Sequence, residues 1–182
     1  MSLPNIAPLA PATIIDPELQ SLLAQCEALG VPDAAFTHIL ARVPDYAKAL
    51  LKAMLVSHVE GNIDHRLKEI IRLQLARTAE DGYFGTLRST QARQQGLDEV
   101  RIAAGAADFD ADPSFTPAEK WALRYARELY TNPENVNADF YAEGKRQFSE
   151  AQIMELGAFI AFHYGMQVWA RTLNLRSEVA SE

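Results

Sequence analysis

The sequence is poor in the residues that redox and metal chemistry need. One cysteine, Cys26, stands in 182 residues, which excludes an intrachain disulfide and a thiolate metal cluster. Basic charge is also short: 17 Lys and Arg against 24 Asp and Glu give a net charge of −7. Without a basic excess to displace counterions, binding to a nucleic-acid backbone is not expected. The first ten residues lack the basic and apolar regions of a signal peptide, so a cytoplasmic location is expected. No His-Glu-x-x-His, phosphate-binding glycine loop or Gly-x-Ser-x-Gly elbow occurs, and no metal or cofactor is expected. Only 8 Val accompany 29 Ala and 20 Leu, and no strand-like alternation is visible. Ala and Leu lose little entropy in helices, so the fold class is read as all-α.

The boundaries follow from caps and breakers. Residues 1–15 hold three of the nine prolines and read as an extended arm; 16–175 form one domain and 176–182 a frayed tail. Asp16-Pro17 starts a first helix that Gly30 stops. Pro32-Asp33 opens a short helix, Pro44 a longer one to about Gly61, and Asp64 caps the next. Asp81-Gly82 breaks that helix, and another is predicted from Tyr83 to Gln95. A short helix starts near Leu97 to Val100, an acidic loop spans 108–115, and a further helix is placed near 136–147. Thr116-Pro117-Ala118-Glu119 and Ser149-Glu150-Ala151-Gln152 are capping boxes. The second opens a helix running to about Leu175. From Ile153 to Ala170 only Glu155, His163 and Gln167 interrupt its apolar run, too many polar residues for a membrane span. Gly157, Ala161 and Gly165 line one side of it, so a helix buried nearly all round, partly by a second subunit, is expected. Caps spaced 33 and 34 residues apart fit a duplicated helical unit, or two helix starts that merely look alike.

The stretch from His65 to Ala106 carries a motif: Arg66 and Glu69 on one helix, Tyr83 in the turn, then Ala92, Gly96 and the Asp98-Glu99 cap. It resembles the carboxymuconolactone decarboxylase family, which includes alkylhydroperoxidase D-like proteins, and the helix pattern on to Leu175 is similar as well. The resemblance implies an alkylhydroperoxidase D-like helical bundle and a homo-oligomer, trimer or hexamer. It departs at the redox centre. With Glu69 on the family glutamate, Asp81 stands at the first cysteine, Phe84 at the second and Arg88 at the histidine. The family's thiol peroxidase mechanism needs those thiols and that histidine, and Cys26, among Leu22, Leu23 and Leu29, reads as core.

The decarboxylase members resemble cofactor-free lyases of acidic lactones. On that pattern Glu69, Asp81 and Arg88 are the candidate catalytic residues, with Arg88 binding a carboxylate. Tyr83, Phe84, Arg88 and His163 are candidate substrate contacts, Tyr83 and Phe84 as a lid. The three charged groups are expected to form one coupled cluster. Plainer explanations stand beside this. Glu69 pairs with neighbours along an exposed helix face, Asp81 caps a helix, and His163-Tyr164 is a core pair. Three readings result: a lyase acting on a small carboxylated or lactone substrate, an inactive relative that binds a small molecule or partner protein, and a peroxidase relying on Cys26.

Overall fold

A computed structural model of the chain describes residues 3–175; the polar tail expected at 176–182 lies outside them. Ten α-helices and two short 3-10 turns make up the described residues, with no strand among them. The helices are α1 (Pro17–Leu29), α2 (Ala34–Leu40), α3 (Pro44–Val59), α4 (His65–Thr78), α5 (Gly82–Thr86), α6 (Thr90–Gln94), α7 (Glu99–Gly105), α8 (Pro117–Thr131), α9 (Ala138–Gly144) and α10 (Glu150–Arg171). The expected caps are formed. Asp16, Asp33, Asp64, Asp81 and Asp98 each accept a backbone N–H of the first turn. Thr116 and Ser149 form reciprocal capping boxes with Glu119 and Gln152. The arm at 3–15 is tied down: the Asn5 and Leu9 N–H groups donate to Leu173 O and His38 O. The two helices whose starts look alike, α7 and α10, are 7 and 22 residues long.

Two apolar cores flank α4. One gathers α1–α3, α5 and the end of α10; the other gathers α4, α8, the start of α10 and the aromatic cluster around Trp121. Trp121 is fully buried, donates its Nε1–H to Phe140 O at 3.0 Å, and lies against Gly144, where a Cβ would approach its ring to 2.3 Å.

The most enclosed helix is α4, not the more apolar α10. Every residue from Leu67 to Ala76 is buried, Lys68, Glu69 and Arg72 included. Meanwhile α10 leaves Met154, Ala158, Ala161, Gly165, Val168 and Trp169 exposed along one face. Its small-residue row divides: Gly157 sits under the Tyr125 hydroxyl, and Gly165 meets open space. No helix among the described residues is long and apolar enough to cross a membrane.

The helix expected over 83–95 is two helices. Leu87 is extended (φ −70°, ψ 145°) and Ser89 caps α6. The interruption has a cause in α4: the Arg72 guanidinium draws in Phe84 O and Leu87 O, and Glu69 accepts the Ser89 N–H, which ends the helical ladder there.

Candidate functional site

Glu69 stands at the centre of a buried polar network. Arg72 donates to it twice, Nε to Oε2 and Nη2 to Oε1, both at 2.8 Å, and the Ser89 N–H donates to Oε1 at 2.8 Å. His58 Nε2 lies 3.0 Å from Oε2. Burial alone would raise the Glu69 carboxyl, but the charge and hydrogen bonds of Arg72, with His58, hold it well below the ordinary range. Two parallel bonds to a guanidinium are the strongest pairing a carboxylate finds among side chains. Glu69 and Arg72 are respectively 1% and 0% exposed, so this i,i+3 pair belongs to the interior and not to an exposed helix face.

Three of the four histidines join this network, from three different helices. His65 Nδ1 donates to His58 O at 2.8 Å, which leaves Nε2 facing the Ser89 hydroxyl at 2.7 Å. The Ser57 hydroxyl gives its proton to Met54 O and meets His163 Nε2 at 3.2 Å. The ring centroid of His58 lies 4.6 Å from that of His65 and 5.7 Å from that of His163. Burial pushes His58 down to about 4, against the opposing pull of Glu69, and drives His163 well below its usual range. Lys68 closes one end, donating to Ser57 O and pairing with Glu155 at 2.6 Å. Among the described residues no set of three or more His, Cys, Asp or Glu side chains is arranged to hold a metal ion.

The other expected site residues lie elsewhere. Tyr83 and Phe84 are buried rather than lid-like: the Tyr83 hydroxyl donates to Asp33, and Phe84 packs edge-on against Phe36 at 5.5 Å. Arg88 makes no ion pair with Glu69 or Asp81. Its Nε and Nη2 fork onto Glu99 at 2.9 and 3.0 Å, while Nη1 donates back to Gly85 O and Leu87 O. The expected coupling of Glu69, Asp81 and Arg88 is therefore absent as direct contact. Because Leu87 is extended, residues 81 and 88 do not share one helix face.

Asp81 and Arg88 do meet as two walls of one depression of about 480 Å³, between the end of α4, α5 and α7. Leu73, Ala76, Ile102 and Ala103 supply its apolar lining, and Arg77 also borders it; Glu69 is not among its lining residues. Asp81 is 3% exposed; it accepts the Tyr83 N–H through Oδ1, and Oδ2 has no hydrogen-bond partner among the described residues. Burial pushes its carboxyl above the ordinary aspartate range, against lowering by the N–H groups of Tyr83 and Phe84. A buried carboxyl with an idle oxygen is costly to leave unsatisfied. Cys26, by contrast, is fully buried in the first core, and burial raises its thiol to about 12. A thiolate is the reactive form, and this environment withholds it.

The fold is an all-α helical domain of the alkylhydroperoxidase D-like type. Residues 44–128, just under half of the chain, match the model of the Carboxymuconolactone decarboxylase family. Among solved structures, a cysteine-to-alanine variant of the debrominase Bmp8 in complex with 2,3,4-tribromopyrrole superposes with a TM-score of 0.81 at 22% identity, covering 99% of this chain and 94% of that one. An alkylhydroperoxidase AhpD core, an uncharacterized peroxidase-related protein from Ralstonia eutropha JMP134, gives 0.79 at 15% identity, with 98% and 94% covered. A peroxidase-related protein from Silicibacter sp. TM1040 gives 0.74 at 13%, with 96% and 94% covered. At these identities the likeness is one of fold. A search of curated proteins finds no match.

Proposed function

We propose that the protein is an acid–base lyase acting on a small carboxylated substrate of the lactone class, bound in the depression that Asp81 and Arg88 share. The observation that carries this reading is Asp81: a nearly fully buried carboxyl, raised by its burial, with one oxygen unpartnered, lining a 480 Å³ depression. In the proposed step the bond to a substrate carboxylate breaks and CO2 leaves. The electron pair remains on the carbon conjugated with the lactone carbonyl, and that carbon takes the proton of the Asp81 carboxylic acid. Water then returns a proton to Asp81, which closes the balance. Arg88 anchors a second, retained carboxylate by two parallel hydrogen bonds. Arg77, which donates to Ala106 O, adds positive charge at the rim, where Glu80 adds negative charge. Glu69, held by Arg72, His58 and Ser89, is a positioning residue: it fixes the turn from Phe84 to Ser89 that carries Arg88.

The test is turnover of a carboxymuconolactone-type substrate, followed as CO2 release, in wild type and Asp81→Asn. Loss of turnover with retained substrate binding in the variant supports the reading. Binding without turnover in the wild type points instead to the ligand-binding relative. Equal turnover in both proteins refutes Asp81 as the proton donor.

A further inference from the structure

We propose that Glu99 determines the ligand specificity of this depression by occupying the bidentate edge of Arg88 in place of a ligand carboxylate. The inference rests on the proposed Arg88 anchor and adds an internal competitor to it.

Arg88 is oriented without Glu99. Its Nη1 donates to Gly85 O at 2.7 Å and Leu87 O at 3.0 Å, so two backbone carbonyls fix the plane of the guanidinium from behind. The opposite edge, Nε and Nη2, is filled by the two oxygens of Glu99 at 2.9 and 3.0 Å. That is the fork geometry by which a guanidinium recognises any carboxylate. The two halves of the pair differ in exposure: the Arg88 side chain is 19% exposed and Glu99 58%. Glu99 is the first residue of α7, reached from the solvent side, and shares its charge with Arg93 at 3.3 Å. It can therefore leave for water and Arg93 at little cost, whereas Arg88 stays in place. A second feature belongs to the same depression: Asp81, one of its lining residues, is buried and its Oδ2 has no hydrogen-bond partner among the described residues.

A carboxylate alone gains little over the tethered Glu99, because it offers the same two hydrogen bonds and loses translational freedom on binding. Displacement requires additional burial, which Leu73, Ala76, Ile102 and Ala103 provide to an apolar body. The depression is thus selective for a small carboxylate attached to an apolar ring or chain over simple carboxylates and over neutral analogues.

The probes are benzoate and its neutral isostere benzamide, titrated calorimetrically into the intact protein. Glu99→Ala, and Glu99→Gln as a second variant, should bind benzoate about fivefold more tightly than wild type. That factor corresponds to the roughly 1 kcal/mol held in an exposed pair. Benzamide affinity should not change. The gain should vanish in Arg88→Ala/Glu99→Ala. Glu80→Gln removes a rim charge that pairs with Arg171 and should behave as wild type. Equal benzoate affinity in wild type and both Glu99 variants, with Arg88→Ala weaker, overturns the competitor while the Arg88 anchor stands. The same gain in Glu80→Gln reduces the effect to net charge and also overturns it. No benzoate binding in any variant overturns both the competitor and the anchor.

Discussion

Acid should destabilise this protein well before its carboxylates titrate, because two histidines are buried uncharged. His58 shifts from 6.5 down to about 4 through burial, and His163 shifts in the same direction. The sign follows from linkage. Above pH 6.5 both rings are neutral in the folded and unfolded chain, and neither affects stability. Between pH 6.5 and 4 the unfolded chain takes up a proton on His58 that the folded chain refuses, so stability falls as pH falls. Each pH unit is worth about 1.4 kcal/mol per group, so between pH 7 and pH 5 His58 alone removes about 2 kcal/mol. His163 adds to the loss. Asp81, raised by burial, acts in the opposite sense, since its folded form holds a proton more readily than the unfolded one. The surrounding charges are Glu69 and Arg72 from α4 and Lys68 with its partner Glu155. Of these the Glu69 and Glu155 carboxyls are held low, so both stay ionised through this window. The assay is urea unfolding of the full chain at pH 7 and pH 5, at one protein concentration, in wild type and His58→Gln. The variant should lose clearly less stability over that interval. A wild-type change below about 0.5 kcal/mol, or parallel pH profiles in the two proteins, would refute the reasoning, given a buried group worth about 1.4 kcal/mol per unit.

Other outcomes follow from the same contacts. Arg72→Met leaves Glu69 ionised and buried without its partner, which should cost about 3–5 kcal/mol in denaturant unfolding, with much of that recovered in Glu69→Gln/Arg72→Met. Arg88→Ala breaks a pair with a largely exposed glutamate and two hydrogen bonds to the carbonyls of Gly85 and Leu87 and should cost about 1–2 kcal/mol; a loss of about 3 kcal/mol or more, that of a broken buried pair, would mean Arg88 carries the coupled cluster after all. Cys26 should resist a thiol reagent at pH 8 until the protein is unfolded, and peroxide turnover with a dithiol should not exceed that of Cys26→Ser. If Asp81 is the proton donor, kcat should fall on the alkaline side as Asp81 loses its proton, and an activity that rises there would sink that assignment.

The helix starts were legible because a cap is a contact between residues two or three apart in sequence. Asp64, Thr116 and Ser149 needed nothing from the rest of the fold. Ser89 is also a cap, but its role depends on Glu69 and His65, 20 and 24 residues away, so the break between α5 and α6 did not show. The histidine network was hidden for the same reason. His58 and His65 stand seven residues apart across the break between α3 and α4, but His163 comes from α10, and no local spacing links it to them. The burial of α4 did leave a trace. At roughly 100° per residue, Leu67, Ile70, Ile71, Leu73 and Leu75 cover about 200° of the helix, and Lys68, Glu69 and Arg72 fall in the remaining arc of about 160°. A helix apolar on so many sides must be covered, and its charges must then find partners inside.

The two candidate carboxylates show how environment divides their roles. Glu69 and Asp81 are both nearly inaccessible, at 1% and 3% exposure, so desolvation pushes each upward. Glu69 meets a bidentate guanidinium, a backbone N–H and an imidazole, and these outweigh its burial. Asp81 meets backbone N–H groups and the more remote charges of Arg72 and Arg171, and these do not. Carboxyl groups driven apart in this way divide into one kept ionised and one that holds its proton more readily. A group locked in its anionic form is a poor proton donor near neutral pH but a dependable structural anchor. Glu69 serves as that anchor, bonding the Ser89 N–H while its partner Arg72 holds Phe84 O and Leu87 O. Asp81 stands where the family resemblance places a thiol. Of the two carboxyls it is the one lining a depression wide enough for a small molecule.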